Sequence, residues 1–304
     1  MQNQKFLYFV GRLSFETMKI FIKIIWKLRL ILRIPFYRKV RGSRLWIPAE
    51  HRILEIQKRY TKYDRFLPIL AEYLPKASLV IDVGANIGDT AIPMATANNS
   101  LHFVCVEPNK SFLFYLELNT RKLKSRIQNI PALIGVSDEL FLLEGHGGTR
   151  HMKLDQSGQR CQSLDDVVTK IRFRNPISLI KIDTDGFDWN IILSAPDTIA
   201  GSKPLIFSEF QLASHKSVND YIKAVDLLIS SGYSKSWLFD NYGNYEETFE
   251  LRALKSFLIV QADSGSIFKG TWRYKNAPYF DILFAHEDST AIADKAVKNF
   301  QRSF

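Results

Sequence analysis

The 304-residue chain is expected to fold as an α/β protein, a doubly wound, mostly parallel sheet of seven strands. Three observations carry that expectation. Leu79 to Thr90 reads as a strand, a glycine turn and a helix start. From Leu79 onward, seven strand-like segments alternate with helical ones. Acids recur where three of those strands should end, at Asp82, Glu107 and Asp183.

The chain divides into a basic amphipathic helical segment (1–48), a helical lead-in (49–78), the α/β domain (79–286) and a helical tail (287–304). In the first, residues 12–34 read as one helix. At 100° per residue, Arg12, Glu16, Lys19, Lys23, Lys27, Arg29 and Arg33 share one side, while Ile20, Phe21, Ile24, Ile25, Leu28, Ile31 and Leu32 share the other. Pro35 stops the helix. A cation interrupts every few residues, so neither a membrane span nor a signal-peptide core fits. A helix lying on an anionic membrane fits, with Trp26 and Phe36 nearby. A helix packed on the protein's own body or in an oligomer fits as well.

The net charge of +10 sits almost wholly in this segment. Residues 1–50 hold eleven Lys/Arg and two acids, a net +9, which leaves +1 for the rest. A basic groove for nucleic acid across the domain is therefore not expected. Two cysteines, Cys105 and Cys161, make no disulfide framework and lack metal-ligand spacing. A reducing setting follows, with the protein cytoplasmic and peripheral on the cytoplasmic membrane face if the helix binds lipid.

In the domain, Leu79-Val80-Ile81 is the apolar run of a strand buried on both faces. Asp82 follows, then Gly84 and Gly88 around a small polar loop. The wording is Asp-x-Gly-x-Asn-x-Gly, neither a dinucleotide fingerprint nor a phosphate loop. An acid at the strand end would repel a pyrophosphate and suits a ligand with a cationic or hydroxyl-bearing group, such as S-adenosylmethionine. The remaining strands are expected at 102–107, 128–133, 178–183, 204–210, 234–239 and 279–285. Helices are expected at 89–97, 110–123, 163–172, 187–194 and 217–231, with a hairpin-like excursion and a short helix over 240–278.

Glu107 lies 19 residues after Gly88 at the end of the second strand, where an acid bonds ribose hydroxyls in nucleotide-binding α/β folds. Asp183 and Asp185 end the fourth strand and should point to the crevice at the switch in strand order. A calcium loop does not fit, because the twelfth residue from Asp183 is Ser194. No resident metal is expected, although a Mg²⁺ held by both aspartates and substrate stays open. Lys181 could serve a carboxylate there or a structural ion pair. His146 and His151 flank a Gly147-Gly148 loop that could close over substrate. His51, His102, His215 and His286 have no supporting context.

Asp-Val-Gly-Ala-Asn-Ile-Gly-Asp-Thr (82–90), Val-Glu-Pro-Asn (106–109), Ser-Leu-Asp-Asp (163–166) and Ile-Lys-Ile-Asp-Thr-Asp-Gly-Phe-Asp (180–188) together resemble the FkbM family of S-adenosylmethionine-dependent methyltransferases. Ser208-Glu209 and Tyr279 to Leu283 add to the likeness, which covers 79–285. The resemblance implies a class I methyltransferase (Rossmann-like) fold and transfer to a hydroxyl of a sugar, glycan precursor or related small molecule. It puts Asp82, Gly84, Asn86 and Gly88 at the methionine end of the cofactor and Glu107 at the ribose. Adenine would lie near Ala132 and Leu133, with Asp138 at its amino group. Asp183, Asp185, Glu209 and His146 are the candidates for proton removal from the acceptor. The chain departs from the family in carrying Asp185 and Asp188 where glutamates are usual. A fold that binds without turning over, and a protein or nucleic-acid methyltransferase, are the rival readings.

Overall fold

The computed structural model describes residues 17, 19, 20, 24, 27–136, 140–145, 151–211, 215–263 and 279–304. Eight strands form the main sheet. In chain order they are β3 (Leu79–Val83), β4 (His102–Val106), β5 (Ile127–Ile130), β10 (Ile177–Ile182), β11 (Leu205–Phe210), β12 (Tyr233–Asp240), β13 (Tyr245–Glu250) and β14 (Phe280–His286). Their order across the sheet is β13-β12-β14-β11-β10-β3-β4-β5. Neighbours from β5 to β11 run parallel, while β14 lies antiparallel between β11 and β12. Strand order reverses between β3 and β10, so the carboxyl ends of these two strands flank the binding crevice of a doubly wound sheet.

Six of the seven expected strands lie where the apolar runs place them; the third, expected over 128–133, ends at Ile130, and Leu133 starts a strand of a second sheet. The eighth, β13, belongs to the expected excursion after 240, and helix 251–263 follows it. Alternation along β3 sends Leu79, Ile81 and Val83 into one core cluster and Val80 into the cluster on the opposite face. The lead-in helix α2 (Phe66–Tyr73) packs Phe66, Leu67 and Leu70 into that second cluster beside Phe300. The preceding lead-in helix is α1 (Ile53–Arg59).

Two regions differ from expectation. The end of the basic segment is a β hairpin, β1 (Phe36–Val40) and β2 (Ser43–Ile47), turned by Arg41 (φ 45°) and Gly42 (φ 92°). Phe36, Val40, Leu45 and Ile47 are buried against Ile87, Ile92 and Phe112. A second, four-stranded sheet is made of β6 (Leu133–Ile134), β7 (Leu140–Glu144), β8 (His151–Leu154) and β9 (Gln159–Gln162). Before the hairpin, the described residues up to 31 are helical. Among the described residues no helix is long and apolar enough to cross a membrane.

Candidate functional site

The crevice holds two adjoining clefts that share Gly84, Asn86, Asp183 and Asp185. The first, about 560 Å³, is mostly apolar: Phe112, Ala132, Leu133, Leu143 and Ile191 line it, with Glu107 at one side. The second, about 600 Å³, is polar and is closed by the lead-in through His51, Tyr63 and Asp64.

The glycine loop is clamped from both sides. Gly84 and Ala85 donate to the Val106 carbonyl at 3.0 and 3.1 Å. Gly84 has φ 77°, and a Cβ there would sit 2.0 Å from the Asp183 carbonyl oxygen. Only glycine lets β3 and β10 end this close together. Gly88 (φ 83°) packs under Leu116 and Ile92 and lines neither cleft.

Glu107 fastens the loop to β4. Its Oε2 accepts from the Asn86 amide at 2.9 Å and its Oε1 from the Asn109 amide at 2.8 Å. Each carboxylate oxygen has a further lone pair. Burial pushes the Glu107 pKa up to about 7, against the two amide bonds that favour its charged form.

Asp82, expected beside the ligand, is fully buried below the loop and lines neither cleft. Parallel register sets it opposite Lys181, whose Nζ lies 3.0 Å from Asp82 Oδ1 and 3.4 Å from Asp183 Oδ2 and donates to the Gly84 carbonyl at 3.2 Å. Burial raises the Asp82 pKa although Lys181 opposes it. Burial also works against the Lys181 charge, but Asp82 and Asp183 outweigh it and hold the ammonium well above its ordinary range. Lys181 thus serves both readings left open for it, as a structural pair with Asp82 and as a wall of the polar cleft.

Asp185 takes the left-handed conformation (φ 54°) before Gly186 (φ 97°), which turns the chain between the clefts. Asp188 lines neither cleft. It is fully buried and accepts from the Thr184 amide and hydroxyl at 3.1 and 2.7 Å and from the Glu209 amide at 2.9 Å. It therefore ties the β10 loop to β11, and burial pushes its pKa up to about 7. Glu209 lies behind the clefts and lines neither. Burial, then the charges of Asp183 and Asp188, raise its pKa far above the carboxylate range. Its cross-strand neighbour Asp281 is raised by burial and then by Asp64.

Asp138 and His146 lie outside the described residues, as does the Gly147-Gly148 loop. Sequence reasoning passes over His51, whose Nε2 sits 3.3 Å from Asn86 Oδ1, and the pair Tyr63 and Asp64. Arg41 binds Asp64 and donates to the Asp89 carbonyl at 2.8 Å, so the hairpin turn supports the polar cleft from below. Burial pushes the Asp64 pKa up to about 6 while Arg41 pulls it down.

The clefts fit an adenosyl sulfonium. The apolar one has adenine-compatible walls and a carboxyl with lone pairs to spare for ribose hydroxyls, and Gly84 leaves no side chain at the junction. A family model described as the methyltransferase FkbM domain matches residues 82–235, just over half the chain. No curated protein sequence matches the chain. Solved structures similar to it include the methyltransferase FkbM from Methylobacillus flagellatus KT (17% identity, TM-score 0.41, covering 57% of this chain and 42% of that one). Another is the O-methyltransferase from Bacillus cereus in complex with SAH (11% identity, TM-score 0.41, covering 76% and 88%). A third is the precorrin-6y C5,15-methyltransferase from Geobacter metallireducens GS-15 (9% identity, TM-score 0.37, covering 72% and 85%).

Proposed function

The chain belongs to the FkbM methyltransferase family and is an S-adenosylmethionine-dependent methyltransferase, and from that premise we propose that its acceptor is a hydroxyl of a sugar, glycan precursor or related small molecule held in the polar cleft. The observation that supports this most is the junction of the clefts. Asp183 and Asp185 line both, so an acceptor among the polar groups meets these carboxyls at the boundary with the cofactor cleft.

The bound cofactor supplies an electrophilic methyl group on sulfur. The chain supplies position and proton traffic. Glu107 holds the glycine loop and accepts from ribose hydroxyls. The Asp183 side chain is 45% exposed and leans on Lys181, so it is accessible to take a hydroxyl proton. His51, Tyr63 and Asp64 offer donors and acceptors to a polyhydroxylated acceptor.

The test is methyl transfer to a panel of monosaccharides, nucleotide sugars and polyprenyl-linked sugars. Asp183→Asn is expected to cut turnover by about 10²-fold or more while leaving S-adenosylhomocysteine affinity within a small factor. Cofactor binding without transfer to any hydroxylated acceptor would overturn the proposal.

A second expectation concerns pH. The Glu107 pKa near 7 in the unliganded protein means that a ligand requiring its carboxylate must first expel a proton below that pH. S-adenosylhomocysteine affinity should therefore fall by up to about tenfold per unit below pH 7 and level off above it. Calorimetry across pH 5.5 to 8.5 (roughly one and a half units either side) reads this directly. Glu107→Gln should bind weakly and lose the slope.

A further inference from the structure

We propose that the N-terminal helix and the outer face of the β1–β2 hairpin dock this enzyme on an anionic lipid surface. The proposal does not depend on the acceptor and goes beyond it. Ile20, Ile24, Leu28 and Ile31 recur at helical spacing and fall within about 80° of one another. They are 55%, 49%, 50% and 75% exposed, a stripe that no other described residue buries.

The helix is fixed to the body at its end. The Ile34 amide donates to the Arg29 carbonyl at 3.0 Å and the Arg33 amide to the Leu30 carbonyl at 3.1 Å, with Arg33 at φ 49°. This is a Schellman closure with arginine in glycine's usual place. Arg29 then turns back, donating to Ile34 and stacking 3.8 Å over the ring of Phe36, which is itself a core residue.

The hairpin continues the same chemistry. On its outer face Tyr37 pairs with Trp46, ring centroids 5.0 Å apart, beside Lys39 directly opposite Arg44. Two cations opposite each other repel, and neither has an ion-pair partner among the described residues. An aromatic pair next to a cation pair matches the boundary between lipid headgroups and acyl chains. A nucleic acid would neutralise the cations and leave the four aliphatic side chains in water. A second copy of the chain would cover the aliphatics and bring the cations together.

The experiment is sedimentation of the full-length protein with phosphatidylcholine vesicles, with and without phosphatidylserine. Binding is expected only with phosphatidylserine and should weaken as salt rises. Lys39→Gln with Arg44→Gln should lower partitioning by about thirtyfold, and Ile24→Asp with Leu28→Asp should abolish it. Both variants should keep wild-type circular dichroism and S-adenosylhomocysteine affinity, which separates this surface from the cofactor cleft. Three results would overturn the proposal: no vesicle binding by the wild type, binding that both variants retain, or a dimer that the aspartate variant dissolves.

Discussion

Gly84→Ala should abolish S-adenosylhomocysteine binding and lower the unfolding free energy by about 4 kcal/mol. Two costs combine. Alanine at φ 77° bears the left-handed penalty of about 1–2 kcal/mol. Its Cβ would also lie 2.0 Å from the Asp183 oxygen and 3.0 Å from the Asp183 carbon, both backbone atoms that cannot rotate away. Relief requires the ends of β3 and β10 to separate, and that separation moves every residue shared by the two clefts. Gly42→Ala is the control, since Gly42 has φ 92° but no atom within 4 Å of where the added methyl would stand. It should show only the conformational penalty and normal ligand binding. Urea unfolding and calorimetry on both variants distinguish the two costs. Near-wild-type affinity in Gly84→Ala would mean that the close approach of the strands does not shape the site.

The features that sequence carries well are those set by local pattern. Apolar runs ending in an acid place β3, β4 and β10, and the loop wording separates this site from a phosphate loop. What local pattern conceals depends on contacts between distant segments. Phe36, Val40, Leu45 and Ile47 fall on one face as a hairpin should place them, and Arg41-Gly42 is a two-residue turn, but the sequence grouping of 1–48 as one basic helical segment passes over both. The hairpin has a practical consequence. Truncation through residue 44 would remove Arg41, whose bonds to Asp64 and Asp89 support the polar cleft, so a deletion aimed at the helix should stop before Phe36.

The site shows the same limit. Asp185 and Asp188 read alike in sequence, two aspartates at positions where the family resemblance implies glutamates. The fold gives them opposite duties. Asp185 turns at the cleft junction, whereas Asp188 is enclosed and fully engaged by Thr184 and Glu209. His51 is unreadable from sequence because its partner Asn86 is 35 positions away. No local rule brings the two together.

Lys181→Met should be strongly destabilising, and its cost should depend on pH. It leaves Asp82 fully buried without its cation, a loss of about 3–5 kcal/mol. The sign follows from linkage. The Asp82 pKa is already raised in the folded protein, so the fold binds a proton more tightly than the unfolded chain does. Stability from this group is fully present below the unfolded value and is lost as pH rises through the folded one. Without Lys181 nothing opposes burial, the folded pKa rises further, and the window of loss extends upward. The variant should therefore stand closest to wild type below the unfolded carboxylate value of about 3.9 and fall behind as pH rises above it. Asp82→Asn with Lys181→Met removes both charges and should recover most of the loss, flattening the pH dependence. Urea midpoints at two pH values for wild type, Lys181→Met, Asp82→Asn and the double variant complete the double-mutant cycle. A Lys181→Met penalty that is small and independent of pH would show that Asp82 is not ionised in the native protein, and the ammonium would then be held by Asp183 and the Gly84 carbonyl alone.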